Sequence, residues 1–194
     1  MPEVAHPNAN ERHTLLSVLP LNHLLELNVG FFGMLYMGAK VVYLQSLSPR
    51  ELTNAMKEKQ VTNMLVVPLL VKMLKSSVEK EIRKSPPAAQ KAFDAMYKVA
   101  KFLPIKMRRV MFKSVIDGLG GKLECFVCGG APLEFEVGEF FERIGIPVYQ
   151  GYGLTETSPT ISTNYPGRNK LGTVGLPLPS VTVKLADNGE ILYF

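Results

Sequence analysis

What is scarce in this chain narrows the field first. It has only two cysteines, Cys125 and Cys128, too few for a disulfide framework, so a reduced, cytoplasmic setting is expected. They form a lone C-x-x-C with no second pair. His6, His13 and His23 stand far away in sequence, so a zinc site is not expected, and the apolar run Leu123–Cys128 reads as a strand with buried thiols. No G-x-x-x-x-G-K-[ST] phosphate loop is present, no G-x-G-x-x-G opens a helix after a strand, and no G-x-S-x-G elbow presents a serine. The chemistry expected is therefore positional and electrostatic rather than covalent. Long apolar runs are missing too. The best candidate, Leu24–Met37, contains Glu26 and Asn28, is broken by Gly30 and Gly33, and is too short for a bilayer; it reads as a helix buried on most sides. The polar stretch Met1–Arg12 carries no secretory signal, and no repeat or low-complexity segment appears.

Acidic residues are locally scarce. Between Lys72 and Lys113 only Glu79, Glu81 and Asp94 stand against twelve lysines and arginines, and this block holds much of the net charge of +5. Such a block is either a set of solvated helix faces or a surface for anionic lipid or another polyanion. No repeated aromatics accompany the charges, so nucleic acid is not an expected partner.

What is present alternates. Thr14–Leu19 reads as a strand ending at Pro20, Leu24–Met37 as a helix closed by Gly38, and Lys40–Leu44 as a buried strand. Ser48-Pro49-Arg50-Glu51 has the form of a capping box opening a helix that runs to about Gln60. Val61–Val67 is the next strand. From about 69 to 119 the pattern is helical, with a break at Ser85-Pro86-Pro87 and helices at about Ala88–Phe102 and Ile105–Ile116. Lys122–Cys128 resumes the strands, a helix follows with Val137, Phe140, Phe141 and Ile144 on one face, and Ile146–Tyr149 is a further strand. This is the pattern of an α/β fold, a largely parallel sheet with flanking helices. It spans residues 1–170. Residues 171–194 begin an antiparallel β subdomain, with Asp187-Asn188-Gly189 turning a hairpin into Ile191–Phe194.

Two glycine-rich loops follow successive strands. Gly129-Gly130-Ala131-Pro132 follows one, and Gly151-Tyr152-Gly153-Leu154-Thr155-Glu156 the next. In an open parallel sheet, neighbouring strands present their carboxyl-end loops to one crevice, where ligands bind. Glycines admit close backbone approach. Tyr152 offers a ring for a planar base, Thr155 a hydroxyl for phosphate, and Glu156 a carboxylate for a hard cation. Taken singly, each loop is also explained as a tight turn, the first leading into a helix with Pro132 at its first position.

The stretch Tyr149-Gln150-Gly151-Tyr152-Gly153-Leu154-Thr155-Glu156-Thr157-Ser158-Pro159 resembles the signature loop of the acyl-adenylate-forming superfamily. Gly129-Gly130-Ala131-Pro132-Leu133 is similar to that family's adenine-side loop. Gly172-Thr173-Val174-Gly175-Leu176-Pro177 resembles the segment that follows, and Leu19-Pro20-Leu21-Asn22-His23 the motif near its carboxylate tunnel. The helical excursion is similar to that of long-chain fatty acyl-CoA synthetases. The resemblance implies a ligase that uses ATP and Mg²⁺ to activate a fatty acid as its adenylate and then transfers the acyl group to CoA. It implies that Tyr152 stacks on adenine, Glu156 binds Mg²⁺ and Thr155 contacts the α-phosphate. Gly129, Gly130, Ala131 and Pro132 would flank the adenine, with Gly153 in the same loop; Gly151 would line the acyl tunnel, and His23 would sit near the entering carboxylate.

The family's serine/threonine-rich phosphate loop, its ribose-binding aspartate and its small C-terminal domain have no counterpart in this sequence. The chain is therefore expected to be a middle piece of a longer synthetase, inactive alone. Two other readings stay open: another adenylating ligase that loads CoA or a carrier protein, and a non-catalytic module whose basic helices meet a membrane surface.

Overall fold

The computed structural model describes residues 12–44 and 46–194; His6 and the polar stretch 1–11 lie outside the described residues. Five parallel strands form the frame: β1 (Thr14–Ser17), β2 (Lys40–Tyr43), β3 (Asn63–Val66), β4 (Cys125–Cys128) and β5 (Val148–Tyr152). They run in the order β2-β1-β3-β4-β5. Two short antiparallel strands, β6 (Ser162–Thr163) and β7 (Leu176–Pro177), extend the β5 edge, and β8 (Val183–Leu185) with β9 (Ile191–Tyr193) forms a separate hairpin. The expected α/β architecture with an antiparallel ending is thus the one found.

The register puts Leu16, Met64, Phe126 and Val148 in one row across four strands. Strand side chains alternate between faces, so this row enters the larger core. There it meets α2 (Pro49–Glu58), α3 (Pro68–Lys84), α4 (Pro87–Ala100), α6 (Lys113–Gly118) and α7 (Phe135–Arg143). The opposite face carries Ser17, Leu65, Val127 and Tyr149 in one row and Leu15, Asn63 and Cys125 in the next. On that side the covering helix is the segment between β1 and β2, π-helical over Glu26–Gly33 and α-helical over α1 (Met34–Tyr36). Its Met34 packs with Leu15 and Leu65.

Several expectations are corrected. The segment 24–37 is not buried on most sides: Phe32, Leu35 and Tyr36 are exposed. β2 is an edge strand with both ends exposed rather than a buried one. The helix expected at about 105–116 is two, α5 (Ile105–Met111) and α6, divided at the buried Phe112. Pro132 does not open the next helix, which starts at Phe135. Ser48 does cap α2, accepting from the Glu51 N–H at 3.2 Å. Much of the basic block is engaged internally. Lys72, Lys75, Lys84 and Lys113 pair with Glu134, Glu79, Glu81 and Asp117. Arg108 donates to the Leu103 and Glu142 carbonyls, and Arg109 to those of Leu123 and Gly145. No helix of the described residues is long and apolar enough to cross a membrane.

Candidate active site

A cavity of about 820 Å³ lies between the π-helical segment and the sheet. Its mouth is at the carboxyl ends of β4 and β5, where Gly129 and Gly130 meet Gly151, Tyr152, Gly153, Thr155 and Glu156. His23 enters the lining from the turn after β1. Adjacent parallel strands bring the two glycine loops together.

The second loop is held in shape by few but specific contacts. Residues Thr155–Thr157 form a 3₁₀ turn. The Thr157 hydroxyl accepts from the Leu154 N–H at 2.9 Å and lies 2.9 Å from the carbonyls of both Leu154 and Pro159. A Cβ at Gly153 would collide with the Pro159 carbonyl, so the loop folds back on itself only with glycine there. Asn28 on the π-helical segment donates to the Ser158 carbonyl at 3.3 Å, tying the helical wall to the loop. The Tyr193 hydroxyl of the hairpin donates to the Glu156 carbonyl at 3.1 Å. Asn164, buried, donates to the Gln150 and Thr173 carbonyls and accepts from the Lys170 N–H. It fixes the antiparallel extension to the end of β5.

Thr155 and Glu156 are exposed at the mouth, and the Glu156 carboxylate makes no hydrogen bond or ion pair within the described residues. No cluster of three or more His, Cys, Asp or Glu side chains suited to a metal gathers among those residues. A single carboxylate fits Mg²⁺, which keeps several waters and takes its other ligands from substrate phosphates; it would not fit a dedicated protein cage. The His23 Nδ1 accepts from the Leu25 N–H at 3.3 Å, which leaves the proton of the neutral ring on Nε2.

Two of the expected site residues stand apart. Ala131 lies outside the cavity lining, its carbonyl accepting from the Gln150 Nε2 at 3.4 Å. Pro132 borders a separate cleft of about 200 Å³ with Pro68, Lys72 and Glu134. Sequence reasoning missed Asn28, Thr157 and Asn164, which shape the site without advertising a chemistry. It also missed Asn63 and Tyr149 on the cavity floor. For Asn63 there was a signal: an amide inside an otherwise apolar strand. Both thiols are buried, and burial pushes each up to about 12. Both border the cavity, and Cys128 also packs in the larger core.

Comparison with known proteins agrees with this architecture. The family described as AMP-binding enzyme matches residues 2–192. The long-chain-fatty-acid–CoA ligase 1 of Homo sapiens is 32% identical over 187 residues, covering 93% of this chain and 26% of that protein. The long-chain-fatty-acid–CoA ligase 3 of Saccharomyces cerevisiae is 30% identical over 93% of this chain and 27% of its own length. FadD15 of Mycobacterium bovis, a long-chain-fatty-acid–CoA ligase, is 39% identical over 84 residues, 43% of this chain and 14% of its own. The chain thus spans about a quarter or less of these relatives. Among solved structures, the O-succinylbenzoate coenzyme A synthetase of Bacillus subtilis in complex with ATP and magnesium ion superposes with a TM-score of 0.63. The two are 25% identical, over 95% of this chain and 31% of that one. The N-terminal domain of FACL13 from Mycobacterium tuberculosis shares the fold, with a TM-score of 0.64 at 20% identity over 95% of this chain and 39% of that one. With a match over nearly its whole length, on a sheet whose two glycine loops frame one cavity, the chain belongs to the family of AMP-binding enzymes.

Proposed function

We propose that this protein, at its full encoded length, is an ATP-dependent acid–thiol ligase acting on a long-chain fatty acid. A substrate carboxylate oxygen attacks the α-phosphorus of ATP and pyrophosphate leaves. The CoA thiol then attacks the acyl carbon of the adenylate, gives up its proton and displaces AMP. The observation that carries this reading is the convergence of the two glycine loops with His23, Thr155 and Glu156 on one cavity. Its floor offers Leu15, Leu65 and Val127 to an acyl chain.

In this reading Gly129 and Gly130 give the nucleotide close backbone approach and Tyr152 presents its ring to the base. The Thr155 hydroxyl bonds the α-phosphate, Glu156 holds Mg²⁺, and Gly151 and His23 border the entering carboxylate. The magnesium supplies charge neutralisation on the phosphates when bound. Ala131 and Pro132 act on the nucleotide only through the shape of the loop they complete. Since Glu156 is exposed, Glu156→Ala should change stability by less than about 0.5 kcal/mol. Pyrophosphate release with ATP, Mg²⁺ and a fatty acid should fall on the order of a hundredfold. Wild-type release from that variant overturns the assignment. Product analysis across acyl lengths and acceptor thiols separates this reading from a ligase that loads other acids or a carrier protein.

We also propose peripheral contact with anionic membrane. What supports it is the corner of α4 and α5, where exposed Val99, Phe102, Met107 and Val110 interleave with exposed Lys98, Lys101 and Lys106. Lysine stems and apolar side chains mixed in this way suit a headgroup layer.

A further inference from the structure

The cavity has a polar end that a plain hydrocarbon tail does not match. From the level of Gly129 to that of Cys125 the floor extends four residues along β4, roughly 13 Å at about 3.3 Å per residue. The level just below the loops is walled by Leu65 and Val127, with Val29 and Met34 on the helical side. The next level down is different. Asn63 and Cys125 are paired there in register, His13 stands just ahead of β1, and all three line the cavity. Asn63 is only 8% exposed. Its Nδ2 donates to the Cys125 Sγ at 3.3 Å, and its Oδ1 is buried without a partner among the described residues. The Tyr149 side chain also lines the cavity, and its hydroxyl makes no hydrogen bond within the described residues. Burial pushes this phenol up, so it remains a neutral donor.

We infer that the acyl substrate carries a neutral hydrogen-bonding group, a hydroxyl, at the end remote from its carboxylate, and that Asn63 and Tyr149 receive it. The inference rests on the reading of this cavity as an acyl site and adds a specificity to it. A methyl terminus at the Asn63 level would leave that amide with nothing to bond, and the half-buried Tyr149, which stands one row nearer the loops beside Val127, would go unpaired as well. A hydroxyl both donates and accepts, so it satisfies whichever end of the Asn63 amide is turned toward it. A second carboxylate does not suit the place. No lysine or arginine lines the cavity among the described residues, and the His13 Nε2 already lies 3.6 Å from the Glu124 carboxylate.

The test is a competition binding measurement on the full-length protein. Saturated fatty acids and their ω-hydroxy counterparts of equal length are compared across a series of lengths against a fluorescent fatty acid. At the length that reaches Asn63, the hydroxy acid should bind on the order of fivefold to tenfold more tightly than the plain acid. Asn63→Leu should abolish or invert that preference. Tyr149→Phe, which removes only one oxygen, should reduce it. Equal binding of both acids at every length overturns the inference and leaves the acyl-site reading standing. An unchanged preference in both variants overturns the assignment to these two residues. Failure of every acid to bind overturns the acyl site itself and this inference with it.

Discussion

Glu26 holds the helical wall of the cavity, and replacing it by glutamine exposes how. The side chain is wholly buried at the start of the π-helical segment. One carboxylate oxygen accepts from the Ser17 hydroxyl at 2.7 Å, and the other has no partner among the described residues. Gly30 leaves the carboxylate room, since a Cβ there would collide with it. Burial raises the Glu26 pKa, while the Ser17 bond and the nearby His23 pull it back only in part. The sign follows from linkage. In the unfolded chain the group ionises near the ordinary glutamate value of about 4.3, and in the folded chain it ionises higher. Its contribution is therefore fully present below the ordinary value. It declines as pH rises toward the folded value, by at most about 1.4 kcal/mol per pH unit within that window.

Glutamine keeps an oxygen for Ser17 and cannot ionise. Glu26→Gln should match the wild type at acid pH and become the more stable of the two as pH rises. Ser17→Ala removes the one hydrogen-bond partner the carboxyl has among the described residues and should cost about 1–3 kcal/mol. That cost should be greater at neutral than at acid pH, because the bond favours the charged form. Urea unfolding of the three proteins from about pH 4 to about pH 8 reads both effects. Glu142, also raised by burial, titrates in every one of them and cancels in the difference between variant and wild type. A difference curve flat in pH, or a wild type that gains on the glutamine variant, refutes the account.

Gly153→Ala forces the signature loop away from the Pro159 carbonyl and the Thr160 backbone. A loss of about 1–3 kcal/mol in thermal or urea unfolding is expected, together with a nucleotide affinity that falls further than the stability does. Wild-type ATP binding by calorimetry would show that the loop's fold-back is not needed. For the α4–α5 corner, sedimentation with vesicles containing phosphatidylserine should be strong at low salt and weak at high salt. Phe102→Ser and Val110→Ser should reduce it at both. Equal sedimentation with neutral vesicles, or no change in either variant, defeats the membrane proposal.

The strands were legible because their apolar runs are short and bounded by proline or glycine, and the two glycine loops because they close successive strands. The helical segment after β1 was misread for a physical reason. Its apolar residues run all round, which looks like burial, yet only one stripe meets the sheet and Phe32, Leu35 and Tyr36 stay exposed. Its π-helical stretch also carries a tertiary contact, the Glu26 carboxyl beside Gly30 and Ser17, which no periodicity encodes. The basic block misled differently. Charge counting cannot tell Arg108 and Arg109, whose guanidinium groups bind carbonyls of other segments, from Lys101, which faces solvent. At the site, residues with an evident chemistry were found at the mouth, whereas those that hold the loop by backbone contacts were not.

The position of the cavity follows from how unequally the sheet is covered. The crossover from β1 to β2 places one helical segment on one face, and the later crossovers carry their helices to the other. A helix is about 10 Å across and strands lie about 4.8 Å apart, so one helix shields about two strands of the five parallel ones. Because the strand order reverses between β1 and β3, that helix sits over β1 and its neighbours and leaves the floor under β4 and β5 open. What lines this floor is strand side chains, fixed in register and buried or half-buried. What lines the mouth is loop backbone and the exposed side chains of Thr155 and Glu156. Under the proposed function the two can vary independently: exchanging Asn63 or Tyr149 would alter which acyl group fits, while the loops that would meet the nucleotide stay as they are. Under the proposed function, acyl selection would be written on the strands and the adenylation chemistry on the turns that follow them.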